Sequence, residues 1–355
     1  MNSQNNTPDI KEDIKMRPLE CLYNRKWKKV LLIILCILLC LVLAAVGTFG
    51  AMWLSGRSAL LDNGNQSMTA PSGYEVDIDE DGVVRYEGKR YEYNENVTSV
   101  MIIGVDDEER TARANGQADA LYLMAIDTKT GKVTVIAVSR DIIADVNVFS
   151  DDGNTVGVKQ QPICNAYAYG ADAVSGCENT VESVSHLLYG VPINTYFSMK
   201  WTAISVLNDY VGGVTVPGYD SNWNPTGEMV TIYGKSALNY IQKRSKATAD
   251  GNNNRMQRQI NYLKAFADKA IEKTKQDIST PVKLYNRLNR YSCNNLDASR
   301  ITYLATVFIN GGAQLEFVSV PGEVVEGEEY AEMYVDQKAL YEIVLDVFYK
   351  ELPNK

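Results

Sequence analysis

The stretch Ala118–Asp141, ADALYLMAIDTKTGKVTVIAVSRD, decides the fold. Two apolar runs, Leu121–Ile126 and Val133–Val138, flank the loop Asp127-Thr128-Lys129-Thr130-Gly131. Runs of that length bounded by turn residues read as buried strands, and a short loop ending in glycine joins them as an antiparallel hairpin. The hairpin's centre falls between Lys129 and Thr130, so Asp119 and Arg140 are symmetric about it. Antiparallel pairing then brings this carboxylate and this guanidinium to one sheet edge. An acid and a base at the open end of a buried hairpin make a candidate site.

Outward from the hairpin, Ser99–Val105 (SVMIIGV) is a third buried strand and ends at Asp106. Further upstream VVRYEGKRYEY, starting at Val83, alternates as a second hairpin that turns at Glu87-Gly88-Lys89. Downstream, the spacing predicts a helix over Glu178–Tyr189, with Val181, Val184 and Leu188 on one stripe and Gly190 and Pro192 beyond its end. A second helix is expected over Lys200–Val211, and a long one from about Asn254 to Lys273. Asp336 should cap a final helix. Val214–Val216 and Leu315–Val320 are further short strands. Strands and helices in mixture around an antiparallel hairpin predict a three-layer α/β/α sandwich with a mixed central sheet.

This domain is preceded by a membrane signal. Val30–Leu54 carries no charged residue and exceeds the roughly 20 apolar residues needed to cross a bilayer as a helix. Arg25, Lys26, Lys28 and Lys29 lie directly before it. The positive-inside rule then predicts a cytoplasmic tail (1–29), one transmembrane helix (30–54), a tether (55–80) and an extracellular domain (81–355) that includes the first hairpin. The expected location is therefore the cell membrane, in a single pass.

Composition narrows the chemistry. A net charge of −9 argues against a nucleic-acid partner, which needs a basic surface. The lone histidine, His186, excludes paired-histidine metal sites and falls opposite the apolar stripe of its helix, where it should be exposed. Six cysteines occur without a CxxC pair, so a structural zinc site is not expected. Cys164 and Cys177 flank a short loop on the expected oxidising side, where a disulfide is chemically permitted. Cys293 is then left over, and a different pairing that uses it stays open. Asp, Glu, Arg and Lys must carry whatever reaction occurs. At the start of the long helix Arg255, Arg258 and Gln259 share a side, where guanidinium opposes the helix dipole unless an anion binds.

Six segments in order carry a resemblance to a known family: Ile102-Ile103-Gly104-Val105-Asp106, Ala118-Asp119-Ala120-Leu121, Val138-Ser139-Arg140-Asp141, Asn165-Ala166-Tyr167-Ala168-Tyr169-Gly170, Val211-Gly212-Gly213-Val214 and Arg255-Met256-Gln257-Arg258-Gln259. Together they make residues 99–260 resemble the LytR-CpsA-Psr family of bacterial envelope proteins. The resemblance implies a phosphotransferase that moves a teichoic acid, capsular polysaccharide or similar glycopolymer from a polyprenyl-pyrophosphate donor to a peptidoglycan acceptor. It also implies that Asp106 and Asp119 hold Mg²⁺ and that Arg140, Arg244, Arg255 and Gln259 bind the pyrophosphate, with Arg258 alongside. Asp141 would orient Arg140 or position the incoming hydroxyl. The chain departs from the family pattern at Gln117, Gln242 and Asn252, each of which replaces a charged residue. Binding of the lipid diphosphate without turnover, or its hydrolysis, are the alternative functions. The polyprenyl tail needs an apolar cleft, for which the inner faces of the helices at 178–189 and 200–211 are the candidates.

Overall fold

The computed structural model describes residues 25–62, 68–79, 82–106, 116–150, 152, 154–243, 251–277, 279–311, 314–327 and 330–353. The chain divides after Ala51, and the second unit holds the whole α/β domain. Helix α1 (Arg25–Leu61) is followed by strands β1 (Asp77–Ile78), β2 (Val84–Tyr86), β3 (Lys89–Tyr93), β4 (Val97–Val105), β5 (Ala118–Asp127), β6 (Lys132–Val138), β7 (Ile143–Phe149) and β8 (Thr155–Pro162). Next come α2 (Asn165–Ala168), α3 (Ala173–Leu187), β9 (Thr195–Lys200), α4 (Ala203–Tyr210), β10 (Val214–Tyr219), β11 (Pro225–Ile232), α5 (Gly234–Gln242) and α6 (Gly251–Gln276). The chain closes with α7 (Thr280–Leu288), β12 (Ser292–Asn294), α8 (Ala298–Gly311), β13 (Gln314–Ser319), β14 (Gly322–Glu326), β15 (Ala331–Val335), α9 (Gln337–Phe348) and β16 (Tyr349–Leu352).

The central sheet has six strands in the order β12-β9-β4-β5-β6-β13. β4, β5 and β6 run antiparallel in sequence, while β9 joins β4 and β13 joins β6 in parallel. The sheet is therefore mixed, as the sequence predicts. The β5–β6 register pairs Leu121 with Val138 and Ile126 with Val133, the alignment that the loop's symmetry demands. Gly131 closes that loop at φ +76°, and a Cβ on it would lie 2.4 Å from the Cα of Gly311, so both backbone and packing require glycine.

Both faces of the sheet are covered, which is why its strands are apolar almost throughout. Met101, Ile103, Leu121, Leu123 and Ile136 pack on one face with Val184 and Leu187 of α3 and Leu340, Val344 and Phe348 of α9. Ala120, Tyr122, Val133 and Val135 pack on the other with Ile204 of α4, Tyr240 of α5, Ile260 and Tyr262 of α6 and Tyr303 of α8. Each such aliphatic side chain removed from water contributes about 1.5–3 kcal/mol. Because α3 and α4 lie on opposite faces, they do not form the shared apolar cleft expected between them.

Other differences are local. Cys36–Leu61 is long and apolar enough to cross a membrane. The helix continues past Leu54 into the expected tether, and its last turns pack on the domain. The Trp53 indole stacks edge-on against Tyr303 and donates to Thr306 Oγ1 over 3.0 Å, Gly56 lies against the Ser299 backbone, and Leu60 is buried. Met68 is also in the core, and the Thr69 amide donates to the Tyr189 carbonyl, so these two residues of the expected tether pack on the domain. Asp172 caps α3 through a reciprocal bond with Ser175, which moves its start ahead of Glu178. Thr195–Lys200, ahead of the expected helix at 200–211, is the central strand β9. Asp336 caps α9 by accepting from the Ala339 amide, as expected, and His186 is exposed.

Candidate active site

The site lies where β4 and β5 meet. Their pairing slips between Gly104↔Ala120 and Val105↔Ala118, which leaves Asp119 as an extra residue in β5. Such a bulge re-aims a side chain. Ala118 and Leu121 consequently face one core and Ala120 and Tyr122 the other, with Asp119 at the changeover. Gly116 precedes it. A Cβ there would lie 2.1 Å from Asp106 Oδ1, so glycine lets the loop pass under that carboxylate.

Asp119 is buried between two arginines. Arg140 Nη1 donates to Asp119 Oδ1, and Arg255 Nη1 stands 4.0 Å from Asp119 Oδ2. The Arg140 and Asp119 side chains are 15 % and 8 % exposed, and that of Arg255 6 %. At this burial an ion pair forms only with good partners, since desolvation costs several kcal/mol per charge. Arg140 is gripped on its other sides by Asp141 Oδ1, 3.3 Å from Nε, and by Gln117 Oε1, which accepts from Nη2 over 3.2 Å. Asp141 is thus ion-paired with Arg140. The Gln117 amide donates to Asp106 Oδ1 at 3.0 Å, and its side-chain nitrogen donates to Asn165 Oδ1 at 2.8 Å. One residue thus ties Asp106, Arg140 and α2 together.

Helix α6 brings in the opposite wall. It starts at Gly251, earlier than the sequence suggests, which places Arg255 beyond the first turn. Gln259, one turn further on, accepts from the buried Tyr122 hydroxyl over 2.9 Å and donates to the Ile241 carbonyl over 2.9 Å. Burial holds the Tyr122 phenol well above its usual pKa. A narrow cleft lined by Asp119, Tyr122, Ser139, Arg140, Arg255 and Gln259 opens here.

Asp106, Asp119, Arg140, Asp141, Arg255 and Gln259 are thus brought together. Arg258 is not. It is fully buried, donates to the Tyr240 and Lys243 carbonyls, and its guanidinium carbon sits 4.1 Å from the centre of the Trp223 ring. Its role is to cap the C-terminus of α5, and burial pushes its pKa down to about 10. A three-residue step along a helix turns the side chain by about 60°, enough to send it behind the cleft. Arg244 lies outside the described residues. The expected Cys164–Cys177 bond is not formed. Both are free thiols, and Cys164 Sγ turns toward Asn165 Oδ1 at 3.8 Å. Gln117, Asn165 and Tyr122 are the site residues that sequence reasoning missed. Gln117 registered only as a lost charge, and Asn165 only as the head of a motif.

Among the described residues, the carboxylates of Asp106, Asp119 and Asp141 outnumber the guanidiniums of Arg140 and Arg255. A cation would offset that excess when an anionic ligand binds. Two carboxylates from adjoining strand ends are the donor set Mg²⁺ prefers, with the rest of its shell supplied by phosphate and water. The residues present fit that ion.

Comparisons with known proteins place this arrangement. A teichoic acid transferase of Bacillus licheniformis, TagU, named polyisoprenyl-teichoic acid–peptidoglycan teichoic acid transferase, is 26% identical over 255 residues, 69% of this chain and 72% of its own length. The solved structure of the Streptococcus agalactiae protein gbs0355 superposes with a TM-score of 0.59 at 20% identity, over 71% of this chain and 86% of that one. B. subtilis TagV superposes with a TM-score of 0.53 at 18% identity, over 71% and 96%. Both share the fold. The family model itself matches residues 66–345, which run from just before buried Met68 through Leu345 of α9 and include every residue of the cleft. The chain belongs to the LytR_cpsA_psr family.

Proposed function

We propose that this protein transfers an anionic glycopolymer of the teichoic acid class from a polyprenyl-pyrophosphate carrier to peptidoglycan. The observation that carries the proposal is Asp119 held between Arg140 and Arg255 at a buried sheet end. A diphosphate offers the same guanidiniums several oxygens in place of one carboxylate. Arg140 is already aimed by Asp141 and Gln117, so little ordering cost remains when the ligand arrives. Phosphoryl transfer depends mainly on such positioning and on charge neutralisation, with little need for a strong nucleophile. Mg²⁺ held by Asp106 and Asp119 would supply the remaining positive charge. The acceptor sugar oxygen attacks the phosphorus nearer the glycan, and polyprenyl phosphate leaves.

The basic residues at the start of α1, ahead of its apolar span, support a cytoplasmic N-terminus, with the domain outside the cell where peptidoglycan lies. The test is to incubate the full chain with a polyprenyl-pyrophosphate glycan and peptidoglycan oligomers, with and without Mg²⁺. A new glycan–peptidoglycan linkage that depends on Mg²⁺ is the expected product. Phosphate release without linkage would mean hydrolysis, and tight binding without product would mean a carrier-binding protein. Either result overturns the transferase reading.

A further inference from the structure

Far from the cleft residues in sequence, two cysteines that the reaction does not use meet in the core. Cys177 is fully buried on α3, and Cys293 is half-buried on β12, the three-residue strand at one edge of the central sheet. β12 is locked in register on β9, with Cys293 opposite Ser198 and the Ser198 hydroxyl donating to the Cys293 carbonyl over 3.1 Å. Residues directly opposite in an antiparallel pair share a face. Here that face lies under α3, the helix that carries Cys177 and packs against both β12 and β9. Cys177 belongs to the apolar cluster on that face, and Cys293 packs against the same cluster. The partner expected from sequence, Cys164, is turned away toward Asn165.

We infer that Cys177 and Cys293 form a disulfide when the domain faces an oxidising compartment, which staples the edge strand β12 to α3. The inference rests on the outward orientation proposed above but not on the transfer reaction. An edge strand of three residues is weakly held by its ladder, and a covalent tie to a helix secures it. The oxidant is a low-molecular-weight disulfide or the disulfide of an oxidoreductase. The half-buried Cys293 thiolate attacks it, releasing one thiol and forming a mixed disulfide. The Cys177 thiolate then attacks the Cys293 sulfur and releases the second thiol. Two S–H bonds are lost and one S–S bond gained in the protein, and the two electrons and two protons end on the reduced oxidant. Burial raises both thiols, Cys177 to about 12, so the bond closes faster as pH rises.

The test is peptide mapping of the full chain taken from cells whose thiols are blocked before lysis, with protease accessibility of the domain measured in the same cells. The expected result is a peptide pair that joins Cys177 to Cys293 and separates on reduction, from a domain open to external protease. In purified full chain, oxidised glutathione should raise Tm by about 10 °C relative to the reduced form. Cys293→Ala should abolish that rise. Both cysteines carrying the blocking label in an accessible domain would overturn the inference, and so would a bond from Cys177 to Cys164. A domain shielded from protease would refute the orientation and this inference together, and would leave the reaction to be judged by its own assay.

Discussion

Asp119 and Asp127 stand at opposite ends of β5 and are used in opposite ways. Asp127 is half-exposed, and its Oδ1 accepts from the Lys129 and Thr130 amides, so its own turn satisfies it. That is the ordinary work of an aspartate in a loop. Asp119 is buried and, among the described residues, caps no turn. It sits on a bulge, and its partners are guanidiniums from β6's far end and from α6, 21 and 136 residues away. A carboxylate satisfied by its neighbours needs no ligand. One held by distant arginines at the mouth of a cleft marks a place where charge is exchanged. The same contrast separates Arg255 from Arg258 on α6: one faces Asp119, and the other is consumed by the carbonyls of α5.

The sharpest way to break this contrast is at its charged end. Arg140→Ala should lower transfer by about 10³-fold, the scale of losing an arginine that stabilises a transferring phosphoryl group, while the fold survives. Equal turnover by the variant in a linkage assay would remove Arg140 from the site. Arg258→Met comes next. It should cost about 2–4 kcal/mol in denaturant unfolding, because the buried Tyr240 carbonyl and the half-buried Lys243 carbonyl lose their donor and Trp223 its stacked cation. Diphosphate affinity should fall far less than for Arg255→Ala. The reverse ranking would mean that Arg258, not Arg255, reaches the ligand.

Much of this contrast can be read from the sequence, and the reason is locality. Loop symmetry sets the β5–β6 register, so the meeting of Asp119 with Arg140 needs nothing beyond a few residues of turn chemistry. The α9 cap and the apolar span are equally local. Where the reading goes astray, partners are remote. β9 pairs with β4 about a hundred residues earlier, and its short alternation merges with the helix that follows. Arg258 differs from Arg255 only through where the end of α5 lies, which no period in α6 reveals. Cys177 finds Cys293 only once β12 has joined the sheet edge. Gln117 reads as a missing charge until its side-chain amide is seen holding Arg140 and Asn165 while its backbone N–H holds Asp106.

At the uncharged end, Asp127→Ala should cost about 1 kcal/mol of stability by leaving two turn amides without their acceptor, and should leave transfer unchanged. A loss of activity there would erase the distinction between the two aspartates. The mildest test is alkaline titration. Burial raises Tyr189, Tyr196 and Tyr349 to about 12 from 10.0 in the unfolded chain. Their folded pKa values lie above the unfolded one, so the native state binds more protons in that window. The stability they contribute is fully present below pH 10 and is lost as pH rises toward 12. Unfolding monitored by tyrosinate absorbance should therefore steepen across that range, and Tyr122→Phe should blunt it slightly. A flat profile would mean these phenols reach water.

The most direct measurement is the affinity of a short-chain prenyl diphosphate for the full chain in detergent, with Mg²⁺ present. Arg140→Ala and Arg255→Ala should each weaken it by about 10- to 100-fold, the worth of a charged hydrogen bond. Asp127→Ala should leave it as it was. Affinity insensitive to both arginines would place the diphosphate elsewhere and contradict the site at the head of β5.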